Sequence, residues 1–156
     1  MAKVLEIGDP APDFTLPRDG AGSLGLKNFG GKKLVLYFYP KDNTSGCTAE
    51  AKDFNALLME FAEANASVVG VSPDPVKSHD KFREKFELAF PLLSDEAKSM
   101  LEAYGVWVEK SMYGRKYMGV ERTTFLIDPA GKIVNIWRKV KTTGHAAEVL
   151  KAVKAM

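Results

Sequence analysis

The chemistry this chain can offer gathers around four residues, Pro40, Thr44, Cys47 and Arg122. Cys47 is the sole cysteine in the chain, and a lone cysteine is most often a small buried hydrophobe. Its setting argues for more. It follows an apolar run, a proline and a short polar loop. It also falls in the first turn of a helix, which the recurrence of Cys47, Ala51, Phe54, Leu57, Leu58 and Phe61 predicts over about residues 47–64. Free backbone N–H groups and the positive end of a helix dipole favour thiolate over thiol there, and the thiolate is the form that attacks. Thr44 stands three residues earlier, within reach of either the sulfur or a substrate oxygen. Pro40 is placed to close the site against bulk water. Arg122, at the head of a later strand, is the best candidate for a cation beside the sulfur. Spacing alone does not bring it there, and an arginine at a strand end is ordinarily solvated.

These residues need a scaffold, and the hydrophobic pattern supplies one. Leu34–Tyr39 is unbroken apolar sequence between Gly30-Gly31-Lys32-Lys33 and Pro40, the mark of a strand covered on both faces. Ser67–Val71 is a second such strand, so strand, helix and strand predict a parallel pair with a right-handed crossover. Pro75 opens a helix striped by Val76, Phe82 and Phe86. A shorter helix follows with Ala97, Met100, Leu101 and Tyr104, capped by Ser94 or Asp95. Thr123–Ile127 and Lys132–Trp137 flank the turn Asp128-Pro129-Ala130-Gly131 as a β-hairpin, and Ala146, Val149, Leu150 and Val153 mark a last helix. The first thirty residues, rich in proline and glycine, read as an irregular N-terminal extension with one or two short strands. This order predicts an α/β chain with a thioredoxin-like fold, a central mixed β-sheet flanked by helices, and residues 1–156 in a single domain.

Composition removes several functions. With 46% hydrophobic and 27% charged residues over 156 positions the chain can bury a sizeable core. A net charge of +2 gives no basic face for nucleic acid or anionic lipid. No apolar run approaches the ~18 residues of a membrane span, and Met1–Gly8 lacks the pattern of a secretory signal, so a cytoplasmic setting is expected. Thr44 occupies the place of a first cysteine in a Cys-x-x-Cys pair, which excludes dithiol exchange. His79 lies in a charged stretch and His145 begins the last helix. Both read as solvent-facing or helix-capping, and one cysteine with two scattered histidines makes no metal site. The segment Glu109–Gly119 mixes basic and aromatic residues and reads as an exposed hairpin, or as a border of the substrate site, because it leads to Arg122.

The segment Tyr37-Phe38-Tyr39-Pro40-Lys41-Asp42-Asn43-Thr44-Ser45-Gly46-Cys47-Thr48-Ala49-Glu50 resembles the active-site segment of the peroxiredoxins, most closely the bacterioferritin-comigratory-protein or PrxQ subgroup. Pro40, Thr44 and Cys47 satisfy that family's pattern at its spacing. Gly8–Phe14 looks like its opening segment, and Val120–Asp128 like the strand bearing its arginine. The resemblance implies a thiol-dependent peroxidase in which Cys47 attacks a hydroperoxide and becomes a sulfenic acid, with Thr44, Arg122 and Pro40 shaping the site and no metal or organic cofactor. It also implies an external thiol reductant, either thioredoxin or glutaredoxin with glutathione, and a monomer or weak dimer. Two departures stand out: Ser45 replaces a common proline, and Lys52 occupies the place where many members carry a resolving cysteine. Five helical residues rise about 7.5 Å, beyond the ~7 Å Cα separation a disulfide spans, so members with that cysteine must unwind the helix. This chain has no pair to join and reads as a one-cysteine variant whose first helix stays folded. The rival is a non-enzymatic thioredoxin-fold binding or holdase module with a vestigial site; such a module has no need of all four residues.

Overall fold

The computed structural model describes residues 4–156; Met1–Lys3, the head of the segment read for a secretory signal, lie outside them. Two short strands, β1 (Thr15–Pro17) and β2 (Ser23–Gly25), pair antiparallel at the N-terminal end. The chain then enters β3 (Lys33–Phe38), α1 (Ser45–Ala56), α2 (Leu58–Glu63) and β4 (Ala66–Ser72). Next come α3 (Val76–Phe86), β5 (Leu92–Ser94) and α4 (Ser99–Ala103). The hairpin β6 (Trp107–Met112) and β7 (Arg115–Val120) is followed by β8 (Thr123–Ile127), β9 (Ile133–Trp137) and α5 (His145–Lys154).

The central sheet runs β5-β4-β3-β8-β9, parallel on one side of β3 and antiparallel on the other. It is the mixed sheet of a thioredoxin-like α/β fold. The apolar run at β3 follows from its central place, since alternate side chains serve two cores. Val35, Tyr37 and Tyr39 join Cys47, Phe54, Phe61, Phe82 and Val149 on one face. Leu34, Leu36 and Phe38 join Val69, Met100, Tyr104 and Phe125 on the other. Tyr37 crosses the sheet surface over Gly70, where an added Cβ would stand 2.9 Å from the tyrosine's Cζ and Oη. Glycine is required there by contact, and the close approach fixes the ring beneath α1, stacked on Phe54 at 4.8 Å between centroids.

The helix expected over 47–64 is divided. Leu57 adopts φ −100° and ψ 4°, and its N–H reaches back three residues to the Phe54 carbonyl, which closes α1 with a tight turn before α2 begins. Neither glycine nor proline stands at the break, so residue type carries no sign of it. The short helix after β5 also begins later than the apolar pattern suggested, at Ser99, leaving Ala97 exposed. Its N-cap is Lys98, in a left-handed conformation, rather than Ser94 or Asp95, although Asp95 Oδ2 still accepts from the Leu101 N–H at 2.8 Å. Among the described residues no helix is long and apolar enough to cross a membrane.

Candidate active site

Cys47 is the third residue of α1 and is 1% exposed. The helix begins at the C-terminal end of β3, so the sheet holds its first turn in place. Thr44 is the N-cap by backbone geometry, with φ −92° and ψ 158°, yet it makes no capping hydrogen bond. The Thr44 side chain therefore leaves the N–H groups of Ser45, Gly46 and Cys47 uncapped, and such first-turn groups are donors suited to an incoming oxygen. The Thr44 hydroxyl donates instead to the Lys41 carbonyl at 3.0 Å. It does not bond the sulfur. That turns the threonine's lone pairs, not its proton, toward any ligand in the loop. Pro40 is half-buried at the start of the same loop.

Arg122 comes to the sulfur. One guanidinium nitrogen, Nη2, donates to Cys47 Sγ at 3.2 Å, and the other, Nη1, donates to Glu50 Oε1 at 2.7 Å. Its side chain is only 17% exposed. Burial works against the guanidinium charge, but the charges and hydrogen bonds of Glu50 and Cys47 outweigh it and raise the arginine's pKa. Gly46 leaves room for this arrangement, because a Cβ there would already lie 3.4 Å from Nη2.

Glu50 was not among the expected site residues. It is 1% exposed, one helical turn beyond Cys47, and its Oε2 has no hydrogen-bond partner. Burial raises its pKa from 4.5 to about 7, although the charge and hydrogen bond of Arg122 pull the other way. The signal was in the spacing: positions 47, 50, 51 and 54 share one helical face, and the other three are the buried stripe. The Tyr37 hydroxyl, beneath α1, is also buried without a partner. Burial, followed by the charges of Glu50 and Cys47, pushes its pKa well above the usual range.

Both histidines correct the expectation of solvent-facing residues. His79 is 0% exposed, with Nδ1 2.7 Å from Asp42 Oδ2 and Nε2 2.8 Å from the Leu93 carbonyl. His145 is 3% exposed and meets Thr124 Oγ1 through Nε2 at 2.8 Å. Burial, with some help from the charge of Arg122, lowers its pKa to about 4, so it is neutral at physiological pH. Its ring packs edge-on against Phe54 and Trp137. Both residues lie on the buried faces of their helices, where apolar neighbours at helical spacing already pointed inward. Neither is hydrogen-bonded to Cys47.

The β6–β7 hairpin is largely exposed, with Tyr113 99% accessible at its tip. Lys110 on β6 has its pKa lowered by burial and then by the charge of Arg122, with the charges of Glu121 and Cys47 acting in the opposite sense. Among the described residues no group of three or more His, Cys, Asp or Glu side chains is arranged to hold a metal ion.

The family described as AhpC/TSA matches residues 7–136. Peroxiredoxin Bcp of Xanthomonas campestris is 52% identical over 154 residues, covering 97% of this chain and 95% of that protein. Peroxiredoxin Bcp of Bacillus subtilis is 49% identical over 152 residues, covering 97% of each. Among solved structures, the bacterioferritin comigratory protein of Xanthomonas campestris, studied as trapped intermediate and ligand complexes for its alkyl peroxide reduction activity, superposes with a TM-score of 0.90. It is 50% identical, with 97% of both chains covered.

Proposed function

The chain belongs to the AhpC/TSA family and is a peroxiredoxin of the Bcp type, a thiol-dependent peroxidase, and on that premise we propose that Cys47 is its peroxidatic nucleophile in a one-cysteine cycle. The observation that carries the assignment is the 3.2 Å contact between Arg122 Nη2 and Cys47 Sγ, at the first turn of a helix whose N-cap side chain makes no capping bond.

The sulfur, as thiolate, attacks the distal oxygen of a hydroperoxide in line with the O–O bond. The S–O bond forms as O–O breaks, and the departing alkoxide or hydroxide takes a proton, leaving Cys47 as a sulfenic acid. Negative charge moves from sulfur to the leaving oxygen during this step. Arg122, already fixed by Glu50, and the first-turn N–H groups of α1 stabilise that charge without having to reorganise. Thr44 accepts the hydroxyl of the incoming peroxide, since its own proton is committed to Lys41. Pro40 shields the reacting atoms from water.

Regeneration needs two external thiols or one dithiol. The first condenses with the sulfenic acid, releasing water and leaving a mixed disulfide; the second displaces it and restores Cys47. Thioredoxin, or glutaredoxin with glutathione, fits this role, in a reducing cytoplasmic setting where a free thiol persists. Lys52 is exposed on an unbroken α1, so nothing within these residues recruits the helix into a disulfide. To test this, the reduced protein is treated with one equivalent of hydrogen peroxide and a sulfenic-acid reagent, then analysed by mass spectrometry. The reading predicts a single adduct on Cys47 and no disulfide until a thiol is added. An unmodified Cys47, with peroxide unconsumed, overturns it.

A further inference from the structure

The loop from Pro40 to Thr44 carries the residues that meet the peroxide, and it is anchored by a buried ionic cluster that the peroxidase chemistry does not use. Asp42 is 7% exposed and accepts hydrogen bonds from the Tyr39 hydroxyl at 2.6 Å and the Ser78 hydroxyl at 2.8 Å, while its Oδ2 lies 2.7 Å from His79 Nδ1, which the Tyr39 hydroxyl also approaches at 3.4 Å. Its own backbone N–H donates to Asp74 Oδ2 at 2.6 Å, while Asp74 is held by the Ser72 hydroxyl and by Ser94 through its backbone carbonyl. The imidazole therefore faces acceptors at both ends. Leu93 presents a carbonyl, which cannot donate, so Nε2 carries a hydrogen. Asp42 already takes donors from two hydroxyls, and the arrangement closes when Nδ1 carries a hydrogen as well. The ring is then an imidazolium with no exposed surface, a charge that needs a paired carboxylate to persist there.

We propose that His79 is a positioning residue for the peroxide reaction: as a buried imidazolium it fixes Asp42, and through Asp42 it holds the Pro40–Thr44 loop in the geometry that presents Thr44 and the first turn of α1 to the substrate. Beyond the Asp42 cluster the loop is tied by two exposed side-chain bonds, from the Thr44 hydroxyl to the Lys41 carbonyl at 3.0 Å and from Lys85 Nζ to Asn43 Oδ1 at 3.3 Å. Lys41 and Thr44 are exposed, and Asn43 turns through a left-handed conformation at φ 59° immediately after Asp42. The groups facing the ring from every packed element are Tyr39 at the end of β3, Asp42 in the loop, Asp74 before α3, Ser78 on α3 and the Leu93 carbonyl in β5. Burial alone lowers the imidazole pKa. The hydrogen bond and charge of Asp42, the Leu93 carbonyl and the charge of Asp74 outweigh it and raise the pKa. Rising pH removes the proton, leaves Asp42 without its charged partner and loosens the loop.

This inference rests on the reading of Cys47 as nucleophile, and the test separates the two. Long-range ¹H–¹⁵N spectra of the wild-type protein report the His79 nitrogens, and stopped-flow oxidation by hydrogen peroxide is followed over the same pH range. The expected result is a doubly protonated ring at neutral pH, titrating above the ~6.5 of free imidazole. The oxidation rate constant falls on the alkaline side with the same midpoint. In His79→Asn the amide can donate to Asp42 but neither carries charge nor titrates. That variant loses the alkaline fall and reacts about tenfold more slowly, and Asp42→Asn loses the fall as well. A singly protonated ring at neutral pH overturns the proposal. So does an alkaline fall that both variants retain, or a His79→Asn rate equal to wild type. If His79→Asn does not fold, the two wild-type midpoints and Asp42→Asn still decide it. Cys47→Ser abolishes the peroxide reaction and leaves the His79 titration in place, so a wild-type protein that does not react at all refutes the nucleophile and not the ring.

Discussion

Glu50→Gln turns the environment of the buried carboxyl paired with Arg122 into a measurable slope. The glutamine keeps the shape and an acceptor for Arg122 Nη1, but it cannot ionise. In the wild-type protein the carboxyl pKa rises from 4.5 unfolded to about 7 folded, chiefly through burial. Folding therefore takes up a proton across that interval. The contribution is fully present below pH 4.5 and is lost as pH climbs through about 7. At roughly 1.4 kcal/mol per pKa unit, the loss amounts to about 3 kcal/mol. Urea unfolding followed by the fluorescence of Trp107 and Trp137, at about pH 4 and about pH 8 in both proteins, isolates this term because the other titrating groups cancel in the difference. The stability of Glu50→Gln relative to wild type should rise by about 3 kcal/mol between the two conditions. A difference that does not move with pH, or moves the other way, refutes the reasoning. It would mean that the ion pair with Arg122 outweighs burial and keeps Glu50 charged throughout.

Three further outcomes follow from the same geometry. Oxidation of the wild-type chain by peroxide should leave hydrogen-exchange protection of α1 unchanged, whereas an oxidised Lys52→Cys variant should lose it, because closing that disulfide requires the helix to unwind. Gly70→Ala pushes a methyl group to 2.9 Å from the buried Tyr37 ring and should cost about 1–3 kcal/mol in urea unfolding. The His145 imidazole, with its pKa lowered to about 4, should show no NMR titration between about pH 6 and about pH 9.

The sheet and the sulfur's position were legible because their signals are local and physical. An apolar run stopped by proline predicted β3, and the order of strands and helices predicted the crossover and the terminal hairpin, all of which the structure contains. Arg122 was legible only as one of two readings, since it is 75 residues from Cys47 and no helical or strand period links them. What was missed was polar and buried. Glu50 was passed over, and His79 and His145 were weighed by residue type, as solvated or capping groups, although each of the three lies on the apolar stripe of its own helix. Periodicity says where a side chain points, and residue type says only what it prefers in isolation; where they disagree, a partner such as Arg122, Asp42 or Thr124 has to be supplied from a distant element. The break at Leu57 had no such signal, because the backbone changes direction there with ordinary helix-forming residues on both sides.

The central claim is that Cys47 attacks peroxide with Arg122 stabilising the transition state, and stopped-flow oxidation of the reduced protein by hydrogen peroxide and cumene hydroperoxide tests it most directly. The native chain should react far faster than a free thiol. Cys47→Ser should not react, and Arg122→Ala should slow by about 10²–10³-fold, the usual cost of removing a preorganised donor. Thr44→Val should slow as well, since the proposed cycle uses its oxygen to accept the peroxide hydroxyl. Oxidation no faster than a free thiol, and indifferent to Arg122 and Thr44, would contradict the account and leave the site as a scaffold for binding.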